Sequence, residues 1–351
     1  MAISSGVHQP VRRRTTLADV ARVSGVSVAA ASQVLSGQKG ATRYSPATAA
    51  RVREAARLLR YRPSLAGRII RQGRTGIMGL VLPALADAYV TSLAPGCITA
   101  ATRCGYELIV SAAHLASDEY QQRVSHLLDL DVDGLVLFAS QELIRSEVYR
   151  ELVESRRPVV LLEHDTADQN VDFVGMDDLA NYRQAVGRLK SLGHQRIGLI
   201  YELEYAVPSA HVRRLAFEQA VDELGLPVLP RYCIQTAHHR DAQSLAALTP
   251  VLEAKGDLTA LVVRGHWRME WMYQALLEWG WAVPDDVSLV NISGHDYRRD
   301  RLRITAVQTP IAKMGEQAVQ LLTHRIGHPD DPPQRILLPG ELIEGTTVKN
   351  C

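Results

Sequence analysis

The side chains that could do chemistry are unevenly distributed, and the basic ones crowd into one end of the chain. The first 75 residues carry 14 Arg and Lys but only two acidic side chains, Asp19 and Glu54. The overall formal charge of +1 therefore combines an N-terminal part of +12 with a remainder of −11. Such a split predicts a small module that binds a polyanion, joined to a larger domain with another task.

Within this basic end, one short run of side chains has the spacing to contact base edges. Ser27 is placed to cap a helix. The positions that then fall on the outer face of that helix are Val28, Ala29, Ser32 and Gln33. Gln33 favours adenine, whereas the two apolar side chains offer contact to a thymine methyl group. Phosphate contacts are expected from Arg43, from a flexible basic arm at residues 1–14, and from the helix caps Thr16, Ser27 and Ser64.

Beyond residue 75 the sequence shows no constellation typical of an enzyme. Glycine-rich phosphate loops, a nucleophile elbow and a zinc-protease motif are absent. The pair His238-His239 lacks a carboxylate or cysteine partner at metal-ligand spacing, and the four cysteines lack such spacing too. We therefore expect no enzymatic activity, no cofactor and no metal, and interpret the cysteines as free thiols. No apolar run approaches the about 20 residues of a membrane helix, so we expect a cytoplasmic protein.

The elements that position the outer-face residues are predicted by caps and by apolar spacing. Thr16 and Asp19 form a capping box at the start of a first helix. Gly25 permits the positive φ angle of a sharp turn, and a second helix from Val28 to Leu35 follows. Ser45-Pro46 begins a third helix, whose outer face is rich in arginine. This succession of capped helices with a glycine turn between the first two predicts a helix-turn-helix that binds DNA. A plain packed helical corner would show a similar pattern.

A short fourth helix, from Leu65 to Ile70, is predicted to follow. Ser64 can cap it, and the large apolar side chain of Ile70 lies among basic residues such as Arg68. Apolar side chains with basic neighbours suit insertion into the minor groove, where they kink the duplex. Gly67 should make the segment more flexible in the absence of DNA, because glycine destabilises a helix by about 0.5–1 kcal/mol relative to alanine.

From residue 76 the pattern changes to short apolar strands that alternate with helices. The strand candidates are 77–82, 106–110, 134–138, 158–162, 197–201, 258–263 and 287–290. Continuous apolar strands separated by helices are typical of parallel sheets covered on both faces. Ligands of such folds bind at the carboxyl ends of the strands.

Together these motifs resemble the lactose-repressor (LacI/GalR) family of transcription regulators. The resemblance rests on residues 16–21, 24–27, 34–37, 61–63 and 71–75, and on 171–177, 192–197, 283–288 and 336–342. It implies an all-α helix-turn-helix domain followed by a periplasmic-binding-protein-like effector domain of two parallel-sheet subdomains. It also implies that Val28, Ala29 and Gln33 read bases, and that residues 65–70 form a hinge helix on operator DNA with Ile70 as its lever.

The resemblance implies a division of the chain into four segments. We expect a basic arm at 1–14, the helix-turn-helix domain at 15–62, a hinge helix and linker at 63–75, and the effector-binding and dimerisation domain at 76–351. Within the last, the first subdomain is expected at 76–174 and 306–335, and the second at 175–305 and 336–351.

The sequence departs from the family pattern where bases would be read. The family commonly has Thr-Val-Ser-Arg where this chain has Ala30-Ala31-Ser32-Gln33, and Ala-Arg-Ser-Leu where it has Gly67-Arg68-Ile69-Ile70. Loss of the arginine removes the bidentate guanine reader, so we predict an unusual operator.

Small-molecule effectors of the family bind in the cleft between the subdomains. Ser209 and Arg213 fit the family's Ser-x-x-x-Arg element, and Arg213 would pair with a carboxylate, phosphate or ring oxygen of the effector. The alternative is a structural ion pair that bridges the cleft. The other expected effector contacts are Tyr89, His164, His266, Trp267, Ser293 and Asp296. Several of these replace family residues that hold sugar hydroxyls, which favours an atypical effector or none.

The four tryptophans all lie between residues 267 and 281. They are either a stacking platform for an effector or part of a core and dimer face, and Trp267 is the best candidate for stacking because it begins its helix. The sequence thus predicts a homodimeric repressor that binds a pseudo-palindromic operator under the control of a small molecule. The alternative is a solute-binding or sensing protein with no role in transcription.

Overall fold

The computed structural model describes residues 15–36, 44–62, 73–83, 88–114, 118–164, 170–203, 209–237, 239–293, 298–299 and 302–351. Several predicted site residues lie outside these ranges: the arm 1–14, Arg43, Ser64, Gly67, Arg68, Ile70 and Asp296. The backbones of Tyr89 and Ser293 are described, but their side chains are not. The chain divides into two compact units between Thr75 and Gly76.

The N-terminal unit is built from three helices. They are α1 (Leu17–Ser24), α2 (Val28–Ser36) and α3 (Pro46–Leu58). Their shared core is small and almost completely buried: Val20, Ala21, Ala31, Val34, Ala49, Val52, Ala55 and Ala56. These apolar side chains recur at helical spacing, which is why each helix turns one face inward. The predicted helix-turn-helix and third helix are confirmed.

The second unit contains two six-stranded sheets, each covered by helices on both faces. The first sheet has the order β13-β5-β4-β3-β1-β2 and is parallel throughout. Its strands are β1 (Ile77–Leu82), β2 (Glu107–Ala112), β3 (Gly134–Phe138), β4 (Val159–Glu163), β5 (Asp172–Met176) and β13 (Arg335–Leu338). Its helices are α4 (Ala88–Arg103), α5 (Asp118–Asp129), α6 (Gln141–Arg145), α7 (Glu147–Glu154) and α13 (Ile311–Gly327).

The second sheet has the order β14-β12-β9-β8-β6-β7, and of the described strand pairs within this sheet only β12–β14 is antiparallel. Its strands are β6 (Ile197–Glu202), β7 (Cys233–Thr236), β8 (Ala260–Arg264), β9 (Ser288–Ser293), β12 (Thr305–Gln308) and β14 (Glu341–Ile343). Its helices are α8 (Asp178–Ser191), α9 (Ala210–Glu223), α10 (Ala242–Ala247), α11 (Thr249–Leu252) and α12 (His266–Glu278), with a 3-10 turn at Pro230–Tyr232. A separate two-stranded ribbon pairs β10 (Arg298–Arg299) with β11 (Leu302–Arg303).

The chain crosses between the two sheets three times, and each crossing lies later than the expected subdomain boundary. Residues 175–176 were expected in the second subdomain, but they belong to β5, which pairs with β4 and β13 of the first sheet. Residues 306–308 were expected in the first subdomain, but β12 pairs with β9 of the second sheet. Residues 336–338 were expected in the second subdomain, but β13 pairs with β5 of the first sheet. Each boundary therefore lies a few residues later, because a strand pairs along its whole length before the chain crosses.

Two glycines allow α4 and α13 to approach closely over the first sheet. A Cβ atom on Gly315 of α13 would lie 2.6 Å from the carbonyl oxygen of Leu93 and 2.9 Å from the sulfur of Cys97, both in α4. A Cβ atom on Gly96 would clash with the backbone of Ala312. The two helices are thus in backbone-to-backbone contact at these glycines, and larger residues there would force the helices apart. Among the described residues, no helix is both long and apolar enough to span a membrane.

Candidate nucleic-acid interface and effector cleft

Side-chain hydrogen bonds cap the start of both α1 and α2, and a glycine forms the turn between the two helices. The Thr16 hydroxyl accepts a bond of 3.3 Å from the Asp19 backbone N–H, and an Asp19 carboxylate oxygen accepts one of 3.0 Å from the Thr16 N–H. Gly25 follows α1 with φ +67°, a value that favours glycine. The Ser27 hydroxyl then accepts a bond from the Ala30 N–H at 3.2 Å. Both predicted caps and the predicted turn are confirmed.

The outer face of α2 is the surface that could enter a groove. Val28, Ala29 and Gln33 are exposed and Ser32 is half-buried, whereas Ala31 and Val34 face the core. The Tyr44 hydroxyl donates a hydrogen bond of 2.8 Å to the Gln33 amide oxygen. The amide oxygen of Gln33 is an acceptor, so this contact holds the side chain in place. The predicted orientation of this face is confirmed.

Exposed arginines on α3 add positive charge to the same unit. Arg51, Arg53 and Arg57 are all exposed. Arg57 pairs with Glu54 at 2.6 Å, and this hydrogen bond lowers the pKa of the Glu54 carboxyl. The pairing offsets part of the charge of Arg57, so we expect the unpaired charge of α3 to come chiefly from the other basic positions.

In the second unit, five charged side chains meet where strands of both sheets end. We call this group the cleft cluster: Glu163, Asp178, Glu202, Arg213 and Arg264. Three of them are the last residues of β4, β6 and β8, while the other two lie at the start of α8 and on α9. The carboxyl ends of parallel strands are where ligands bind in such folds. The cluster therefore occupies the predicted location of the effector.

Arg213 lies at the centre of this cluster. It donates to Glu163 at 2.9 Å, to Asp178 at 3.1 Å, and also to Glu202. Its side chain is 3% exposed. Because Glu163 belongs to the first sheet and Arg213 to a helix of the second, this pair bridges the two subdomains.

Arg264 shares the same carboxylates. It lies 2.8 Å from Asp178, 3.5 Å from Glu202 and 4.0 Å from Glu163. Behind it, Arg268 donates a hydrogen bond of 2.8 Å to the Thr236 hydroxyl. Charged groups are buried only when they are paired, and here carboxylates and guanidinium groups alternate.

The protonation states of the cluster follow from this alternation. Burial alone would raise the pKa of Glu202, but Arg213 and Arg264 lower it well below its usual value. Burial alone would lower the pKa of Arg213, but Glu202, Asp178 and Glu163 raise it well above its usual value. Burial lowers the pKa of Arg268 to about 10. Glu202, Arg213 and Arg268 are therefore charged at neutral pH.

The described side chains among the other predicted effector contacts lie close in sequence to members of the cluster. His164, directly after β4, shares a hydrogen bond of 3.1 Å with the Ser209 hydroxyl and meets the Phe138 ring edge-on at 5.2 Å. His266 and Trp267 begin α12 with their ring centroids 5.1 Å apart, and Trp267 is 45% exposed. The structure thus brings His164 and Ser209 together.

The tryptophans divide between the two interpretations. Trp271 and Trp281 are buried in the core beside α12, which agrees with a structural role. Trp267 and Trp279 are exposed. Of the four, Trp267 alone both begins a helix and follows the carboxyl end of a strand, so the stacking role stays a prediction for that residue.

Sequence reasoning identified Arg213 but missed the four other members of the cleft cluster. Arg213 contacts three carboxylates, as expected for an ion pair that bridges the cleft, the alternative to an effector contact. A usable signal was present: Glu163, Glu202 and Arg264 are charged residues at or next to the ends of predicted buried strands. Asp178 carried a weaker one, because it directly follows the cap of α8.

Comparison with known proteins matches both units. Residues 16–64 match the family described as bacterial regulatory proteins, lacI family, and residues 186–348 match the periplasmic binding protein-like domain. The chain is 27% identical to catabolite control protein A of Priestia megaterium over 314 residues, 88% of this chain and 91% of that protein. It is 27% identical to the HTH-type transcriptional regulator PtxS of Pseudomonas putida, over 95% of each chain.

Solved structures share the fold along nearly the whole chain. A lac repressor dimer bound to operator and the anti-inducer ONPF has a TM-score of 0.76 at 20% identity, and covers 96% of this chain and 100% of its own. A complex of the transcriptional regulator CelR with cellobiose has a TM-score of 0.66 at 24% identity, with 95% and 100% covered. At these identities the likeness concerns the fold.

Proposed function

This chain is a member of the LacI family of bacterial regulatory proteins, and we propose that it works as a homodimeric repressor on a pseudo-palindromic operator. The observation that carries the proposal is the exposed outer face of α2, which follows the capped helix α1 and the turn at Gly25. One such helix per protomer reads one half-site, so a two-fold symmetric dimer requires an inverted repeat. Because its proposed target is chromosomal DNA, we place the protein in the cytoplasm.

The sequence preference that we propose follows from the chemistry of that face. Val28 and Ala29 are suited to thymine methyl groups, and the amide of Gln33 is suited to adenine. Basic side chains of the N-terminal unit supply contacts with phosphates, which position the protein without reading sequence. Arg43, Arg68 and the arm 1–14 remain predictions of such contacts, and Ile70 remains the predicted wedge of the hinge helix.

We further propose that a small molecule controls this binding through the cleft cluster. A ligand that used Arg213 would have to replace Glu163 or Asp178 as its partner. Replacing Glu163 breaks the ion pair that bridges the subdomains, which changes the energy of one subdomain arrangement relative to another. The effector and the operator then influence each other by the same coupling free energy. Ser209, His164 and Trp267 remain the predicted neighbours of such a ligand, with Tyr89, His266, Ser293 and Asp296.

Fluorescence anisotropy with labelled DNA from upstream of the protein's own gene tests the proposal. We expect tight binding that weakens steeply with salt, because each phosphate contact contributes a slope of about −0.9 in log K against log salt. Ala29→Glu should abolish binding, since it places a negative charge on the outer face of α2. Val110→Glu adds the same charge at an exposed position of the second unit and should bind like the wild type.

The two alternatives give different results in this experiment. A solute-binding protein without a role in transcription would bind no DNA fragment with any sequence preference. Equal binding by Ala29→Glu and the wild type would show that α2 does not enter the groove. A thermal-shift screen of small polar molecules, run on the wild type and on Glu163→Gln, would identify the effector class.

A further inference from the structure

Two histidines and an aspartate converge at the C-terminal end of α13, away from the cleft cluster. His324 and His328 are four residues apart, so both side chains project from one face of the helix. Their rings stack with centroids 4.5 Å apart and an angle of 19° between their planes. Asp331, in the turn that follows, places its carboxylate 2.8 Å from the Nε2 atom of His324.

The hydrogen bonds of this group leave it suited to a metal ion. One potential ligand atom from each of the three residues lies within 4.8 Å of the other two. The Nδ1 atom of His328 lies 3.2 Å from the carbonyl oxygen of His324, and a carbonyl can only accept, so Nδ1 donates. The neutral ring then carries its lone pair on Nε2. A backbone carbonyl that fixes the tautomer in this way is the usual companion of a metal-binding histidine.

The electrostatic surroundings also favour a cation. The C-terminal end of a helix carries partial negative charge on its last carbonyl groups. The nearest cation on α13, Arg325, is engaged by Asp172 through bonds of 2.8 Å and 3.0 Å. Its charge is therefore compensated by a carboxylate of β5.

We propose that His324, His328 and Asp331 form a binding site for a divalent transition-metal ion such as Ni²⁺ or Zn²⁺. Two imidazole nitrogens and one carboxylate oxygen suit these ions, with water filling the remaining positions. The ion would replace the hydrogen bond between His324 and Asp331 and tie the turn before β13 to the end of α13. This proposal departs from the expectation, drawn from the sequence, that the chain has no metal site. The helical spacing His-x-x-x-His-x-x-Asp was the signal that this expectation overlooked.

Isothermal titration calorimetry of full-length, EDTA-treated protein with Ni²⁺ alone tests this site. We expect one ion per chain at the site, and binding that weakens by about tenfold or more in His328→Asn and in Asp331→Asn. All three side chains are at least partly exposed, so the variants should fold, which circular dichroism would verify. Binding should also weaken between pH 7 and pH 5, because protonated histidine cannot coordinate.

Matched controls separate this site from other metal-binding side chains. His239→Asn removes an exposed histidine elsewhere, and Cys351→Ser removes an exposed thiol. Both should bind Ni²⁺ like the wild type. Unchanged binding in His328→Asn and Asp331→Asn, or a loss of the site in either control, would overturn the proposal.

Discussion

Glu163, the last residue of β4, accepts a hydrogen bond of 2.9 Å from Arg213 of α9 and so joins the two subdomains through a buried ion pair. The same guanidinium group also holds Asp178 and Glu202. Glu163 has φ +74°, a left-handed conformation that is uncommon for a residue other than glycine. The surrounding ion pairs hold it there, so the fold maintains this bridge at some cost in backbone energy.

Removing Arg213 should destabilise the second unit strongly. Arg213→Met leaves the carboxylates of the cleft cluster with less positive charge, and breaking a buried pair in this way costs about 3–5 kcal/mol. All four tryptophans lie in this unit, so their fluorescence during urea unfolding reports on it specifically. Combining Arg213→Met with Glu163→Gln should recover part of the loss. Strict additivity of the two changes would show that the pair is not coupled.

Restoring an arginine on the outer face of α2 should change the operator preference. Gln33→Arg introduces a bidentate guanine reader, and a good pair of this kind discriminates by about 1–3 kcal/mol. A scan of single base changes across each half-site, read by anisotropy, would show a shift towards guanine at one symmetric position. If both proteins ranked all the bases identically, Gln33 would not be a base-reading residue.

Adding a methyl group to Gly315 should separate α4 from α13. The new Cβ atom would lie 2.6 Å from the Leu93 carbonyl oxygen, and overpacking of this kind costs about 1–3 kcal/mol. Gly187 is the matched control, because it also lies within a helix, α8, but a Cβ atom there would meet nothing within 4 Å. Gly187→Ala should leave stability unchanged or raise it by up to about 1 kcal/mol. Similar urea midpoints for both variants would refute the close contact.

Acid should destabilise the second unit in part through His194. Burial lowers the pKa of its imidazole, which contacts the Thr259 hydroxyl and the Lys349 carbonyl oxygen at 3.0 Å each. Above the unfolded-state pKa of about 6.5, His194 is neutral in both states. As the pH falls below that value, His194 is protonated in the unfolded chain but not yet in the folded one. The free energy of unfolding therefore decreases between the unfolded-state pKa and the lower folded-state pKa.

Urea midpoints measured between pH 8 and pH 5 would reveal this contribution. His194→Gln carries no titratable group, so its stability should fall less over that range than that of the wild type. Parallel pH profiles for the two proteins would assign the acid sensitivity to other groups.

Local signals in the sequence were sufficient to predict the elements of the N-terminal unit. The capping box at Thr16 and the turn at Gly25 act over a few residues, and the core side chains recur at helical spacing. The parallel sheets were likewise predicted from continuous apolar strands. In each case the relevant interactions lie within one element or between neighbouring ones.

The subdomain boundaries and the cleft cluster depend on long-range pairing and were harder to predict. Whether Arg335–Leu338 joins one sheet or the other depends on its pairing with Asp172–Met176, far away in the sequence. The partners of Arg213 likewise come from separate strands and a helix start, so no local pattern brings them together. Arg213 itself was identified from a family motif, whereas its three carboxylates were not.

Selection of binding sites from random duplex DNA with the full-length wild-type protein tests the central claim most directly. We predict enrichment of an inverted repeat whose two halves are contacted by the two α2 helices of a dimer, with half-sites about 10 base pairs apart or a multiple of that. The half-sites should contain adenine and thymine where Gln33, Val28 and Ala29 contact the bases. Failure to enrich any sequence, or enrichment that persists unchanged in Ala29→Glu, would contradict the account.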